Sequence, residues 1–125
     1  MTTGSEYEER ERKAASEALA KGHSDPANLR ELLIWTTSKT TRPTVEAYFR
    51  KHHHDKKLLA ALVSIALEGE DAGDAPWAAA NTLAEFPVSM LMEHKLALIE
   101  LSKHEWDYLN KPARAALRKI DANAT

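Results

Sequence analysis

The sequence predicts an all-α protein built from antiparallel helix pairs. Three observations carry this reading. Alanine supplies 21 residues and leucine 15, while valine and isoleucine together supply seven, a balance that favours helix over strand. There are only four glycines, and the five prolines, at 26, 43, 76, 87 and 112, fall where helices could start. Between these breaks the apolar residues recur at helical spacing, and the spacing pattern itself recurs along the chain.

Taken in order, the first helix spans Ser5 to Lys21, with Glu6, Glu8 and Glu9 at its start, favourable Glu8–Arg12 and Glu9–Lys13 pairs, and Gly22 as its stop. Asp25-Pro26 reads as an N-cap followed by the first helical residue, opening a helix with Leu29, Leu32 and Leu33 inward. A threonine-rich link, Thr36 to Thr41, precedes a helix started by Pro43 and carrying Val45, Tyr48, Phe49 and His52. Asp55 caps the next, through Leu58, Leu59, Leu62, Ile65 and Ala66 to a stop at Gly69. Beyond an acidic turn, Pro76 opens a helix of Ala79, Ala80, Leu83 and Phe86. Pro87 forces a bend, and a helix follows with Leu91, Leu98, Ile99 and Leu101, its far end left open by the pattern. Ser102-Lys103-His104-Glu105 has the form of a capping box that could start a new turn carrying Trp106, Tyr108 and Leu109, and the last helix is expected from about Lys111 to Ile120.

Composition excludes several classes. With no cysteine there is no disulfide, thiolate zinc site or thiol nucleophile. The most apolar run, residues 58–67, is too short to cross a bilayer, and the first residues lack the apolar stretch of a secretory signal. A net charge of −2 gives no global attraction to nucleic acid or anionic lipid. A cytoplasmic protein without a membrane or cofactor partner is expected, folded as one domain over residues 1–125.

The helices repeat in pairs. Ala79, Leu83 and Phe86 align with Ala113, Leu117 and Ile120 at an offset of 34, and the same step back from Ala79 and Leu83 lands on Val45 and Phe49. The preceding helices align as well, Leu29, Leu32 and Leu33 with Leu62, Ile65 and Ala66, and Ala61 to Ile65 with Ala97 to Leu101. One such pair cannot bury its apolar face alone, so neighbours must stack. On Trp77-Ala78-Ala79-Ala80 through Leu83, and Ala113 through Leu117, the chain resembles a short HEAT-like helical repeat. The resemblance implies three stacked pairs over residues 25–121 as a short α-solenoid, behind an N-terminal helix at 5–22. An irregular helical bundle is the alternative.

Two charge clusters compete for a functional role. Arg50, Lys51, Lys56 and Lys57 against Asp55 give +3 over eight residues, with His52, His53 and His54 between them. Consecutive histidines on a helix point about 100° apart and cannot converge on one ion, so no metal site is expected there. The acids Glu68, Glu70, Asp71 and Asp74 give −4 over seven residues without the ligand order of a calcium loop. A solvated turn is the plain reading; its functional one is attraction of a basic protein. The third feature is Glu105-Trp106-Asp107-Tyr108, where aromatics that keep a polar tip alternate with acids, as interfaces favour. Trp35, Tyr48, Phe49, Trp77 and Phe86 are expected in the core. No nucleophile elbow or phosphate loop is present.

In size and mild acidity the chain also resembles the small cytoplasmic immunity proteins that bacteria pair with secreted toxins. That resemblance implies a non-enzymatic inhibitor, an antitoxin that binds a toxin directly, and many toxins are basic nucleases. The expected contacts are Glu68, Glu70, Asp71, Asp74, Glu105, Trp106, Asp107 and Tyr108. The alternatives are nucleic-acid binding through the Arg50–Lys57 patch and a structural adaptor role.

Overall fold

Every regular element is helical in the computed structural model, which describes residues 3–69 and 73–123 and the side chains of 6–69 and 73–122. The helices are α1 (Thr3–Lys21), α2 (Pro26–Trp35), α3 (Arg42–Lys51), α4 (Lys56–Ala66), α5 (Asp74–Thr82), α6 (Val88–Leu91), α7 (Lys95–Ser102) and α8 (Asp107–Asn123). Tighter 3₁₀ turns occupy Leu83–Glu85 and Met92–His94. Among the described residues no helix is long and apolar enough to cross a membrane.

Two aspartates set helix starts as their sequence context requires. Asp25 is extended, accepts the Ala27 N–H at 3.2 Å, and is followed by Pro26 as the first helical residue. Asp55 accepts the Leu58 N–H at 3.1 Å. Each side chain satisfies an amide that the first turn leaves without an intrahelical partner. Gly22 and Gly69 end α1 and α4 with φ of +79° and +81°, a conformation that costs any residue with a Cβ. Pro43 and Pro76 lie second and third in their helices, still within the first turn, where no N–H is needed.

Three local features differ from the sequence pattern. The helix expected after Pro87 is broken: α6 is one turn, and the Lys95 N–H bonds back to Met92 O across the 3₁₀ segment before α7 begins. Helix α8 starts at Asp107, so Pro112 is its sixth residue rather than an opening one, and the Tyr108 carbonyl lacks the i+4 amide it would otherwise receive. The capping box is not made. Ser102 Oγ donates to Ile99 O at 2.6 Å, and His104 Nδ1 accepts the Trp106 N–H at 3.0 Å.

The chain divides into two compact units, residues 1–48 and 49–125, with the boundary inside α3. In the first, α1 packs on α2, and Ala15 and Ala18 of α1 and Leu29, Leu32 and Leu33 of α2 are buried. Buried Asn28 ties the turn between them, its Nδ2 donating to Ala18 O and Gly22 O. The threonine-rich link is held by its own hydroxyls: Thr41 Oγ1 donates to Trp35 O, and Ser38 Oγ to Glu11 of α1.

In the second unit α4 packs on α5 and α7 on α8, and the pairs touch through both members, α5 on α8 and α4 on α7. Ala79, Leu83 and Phe86 are fully buried, as are their counterparts Ala113 and Ile120, while Leu117 is half-buried. Both helices also bury alanines, Ala78, Ala79 and Ala80 on α5 and Ala113 and Ala116 on α8, in a core whose packing leaves little free volume. This contact pattern is compatible with stacked pairs and with a bundle.

Candidate functional site

The C-terminus of α4 and the segment before α8 meet at one point. Gly69 stands against the His104 ring, so that a Cβ there would lie 3.6 Å from Nε2. The other nitrogen of that ring, Nδ1, receives the Trp106 amide, which fixes it as an acceptor and sets the path of residues 104–106. Asn110, only 4% exposed, clamps the same segment from beneath, its Nδ2 donating to His104 O at 2.8 Å and to Asp107 Oδ1 at 3.3 Å. Its Oδ1 is buried without a donor among the described residues.

Above this clamp lies a cluster of three aromatic rings. Tyr108 is central, 5.1 Å from Trp77 and 5.3 Å from Trp106 between centroids, the latter nearly perpendicular at 82°. These are favourable aromatic separations. Both indoles are half-buried, whereas Tyr108 is 54% exposed; Leu67, at the end of α4, is exposed as well.

Carboxylates accompany the rings. Glu68 adjoins Gly69, Asp74 lies one helical turn before Trp77, and Glu105 and Asp107 flank Trp106; all four are exposed. Asp107 pairs with Lys111 at 3.8 Å, whereas Asp74 and Glu105 have no ion pair among the described residues. The structure thus brings Glu68, Asp74, Glu105, Trp106, Asp107 and Tyr108 to one end of the second unit. Glu70 and Asp71 lie outside the described residues.

Sequence reasoning missed four contributors. Trp77 reads as core by its helical spacing, yet it is half-buried against Tyr108. Its place directly after Pro76, in the first turn of a helix, was the available signal, since such a side chain sits at the end of a helix rather than along its flank. His104, Asn110 and Leu67 gave no comparable sign.

The basic patch is partly neutralised within the same unit. Arg50 pairs with Glu85 at 3.8 Å and Lys56 with Glu93 at 3.7 Å. His53 and His54 lie ring against ring at 3.8 Å, and among the described residues no group of three or more His, Asp or Glu side chains could hold a metal ion. The first unit contains an open hollow of about 210 Å³ lined by Arg12, Ser16, Leu19, Thr40 and Thr44 among others. That is below the usual size of a small-molecule pocket, roughly 300–1,000 Å³. No family model, no curated protein and no solved structure matches this chain.

Proposed function

We propose that this protein is a non-enzymatic binding domain that neutralises another protein by docking on it, in the manner of an immunity protein or antitoxin. The observation that carries this reading is the Trp77–Tyr108–Trp106 cluster, an exposed tyrosine between two half-buried indoles, with the exposed acids Glu68, Asp74, Glu105 and Asp107 nearby in the chain. Aromatic anchors with a polar rim are the residues on which protein interfaces concentrate their binding energy. The rim charge selects a basic partner and accelerates its encounter. The mutual contacts of α4, α5, α7 and α8 would suit a short helical-repeat scaffold that presents such a face.

The test is to isolate the partner from the native host and measure its affinity for the wild-type chain and for a Glu68→Lys, Asp74→Lys, Glu105→Lys variant. The reading expects a stoichiometric protein partner whose activity is suppressed in the complex. Its affinity should fall by at least about tenfold in the variant and show a weaker salt dependence. A partner bound equally well by the variant would remove this end of the molecule from the account.

A further inference from the structure

Resting on that reading, we infer that the aromatic cluster receives an arginine side chain of the partner, with the guanidinium stacked on the exposed part of the Tyr108–Trp106 pair and paired with Glu105. Charge and shape point to the same occupant. Tyr108 touches both indoles yet keeps more than half its surface open, so the cluster presents π-faces that are held in place rather than free to rotate. Such faces attract cations, tryptophan most strongly. Glu105 adjoins Trp106, is exposed, and has no ion pair among the described residues, so its two oxygens are available to a new cation. Asp107, already engaged by Lys111 and Asn110, contributes field rather than a free carboxylate.

Arginine fits these features better than lysine. Its guanidinium is planar, weakly hydrated and able to stack on a ring while donating two parallel bonds to a carboxylate. An ammonium is a compact, strongly hydrated charge that can satisfy Glu105 but gains less from the rings. The support beneath the rings also matters. Asn110 and His104 hold the backbone of residues 104–107, so the site is ordered before anything binds.

The experiment compares hexa-arginine with hexa-lysine, two peptides of equal charge, by calorimetry on the full chain. Binding of hexa-arginine about fivefold tighter than hexa-lysine is expected, with the two brought level by Tyr108→Leu. Chemical-shift mapping, which needs no variant, should move the indole N–H signals of Trp77 and Trp106 and leave that of Trp35 in place. Equal affinity for the two peptides, no binding of either, or shifts confined to other regions would overturn the arginine assignment. The protein-docking reading would still stand if the natural partner lost affinity in Tyr108→Leu. A natural partner indifferent to Tyr108→Leu would overturn both.

Discussion

The ring of Tyr108 lies 5.1 Å from that of Trp77, although 31 residues separate them in the chain. This contact joins the first turn of α5 to the first turn of α8. With the Gly69–His104 approach, it makes one surface of two segments that are distinct in sequence. The surface owes its order to backbone clamps and its character to the exposed Tyr108 ring, two half-buried indoles and exposed acids.

Asn110 is the clamp most open to test. Asn110→Ala removes both donors to the 104–107 segment and leaves the His104 carbonyl without that partner. Loss of a buried hydrogen-bonded amide costs about 1–3 kcal/mol, to be read by urea denaturation. Partner affinity should fall as well, because the segment must then be ordered on binding. Unchanged values of both would show that Asn110 does not organise the site.

Gly69 and Gly73 should respond differently to substitution. Gly69→Ala places a Cβ at ordinary contact distance from His104, so its cost is that of a left-handed backbone, about 1–2 kcal/mol. Gly73 has open space around it, but its φ of +86° and ψ of −147° lie near a region that glycine alone visits. There Gly73→Ala should cost about 1–3 kcal/mol despite the absence of a clash. Thermal melts of the two variants compare the costs directly.

The buried alanines of α5 and α8 predict intolerance of added volume. Ala79 and Ala113 are fully buried, and Ala79→Leu forces three extra heavy atoms into the packed core. Overpacking of this kind costs about 1–3 kcal/mol, occasionally more. Ala115→Leu, at an exposed position on α8, should change stability by less than about 0.5 kcal/mol and serves as the control.

Pro112 offers a gain. Pro112→Ala restores the amide that the Tyr108 carbonyl lacks and removes the ring from the helix interior. An interior proline costs a helix about 3 kcal/mol relative to alanine, and recovery of at least 1 kcal/mol of this is expected in denaturation. No gain would mean that packing of the half-buried ring offsets the lost bond.

Much of the fold was legible because it rests on local chemistry. Asp25 and Asp55 are N-caps, Pro26 opens α2, and Gly22 and Gly69 take positive φ as stop residues. The Ala/Leu positions that align at an offset of 34 are buried, or half-buried at Leu117, because helical period and burial are one signal. What failed depended on competition between local devices. Pro112 reads as a helix start, yet α8 is already under way at Asp107, where the Leu109 and Asn110 amides reach Trp106 O. Ser102 offers a capping hydroxyl, but it is the last residue of α7 and its hydroxyl donates back to Ile99 O. Of the candidate site, the exposed acids and the Trp106–Tyr108 pair were visible as composition. Their union with Trp77 was not, because a contact across 31 residues is set by helix packing and leaves no local mark.

The central claim is that the Trp77–Tyr108–Trp106 cluster is the anchor of a protein interface. The most direct measurement is the affinity of the purified natural partner for wild-type protein and for Tyr108→Leu, with helical content and melting temperature recorded for both. A hot-spot aromatic is worth at least about 2 kcal/mol, so the account predicts a loss of roughly thirtyfold or more at unchanged helicity. Equal affinity for the two folded proteins would contradict it.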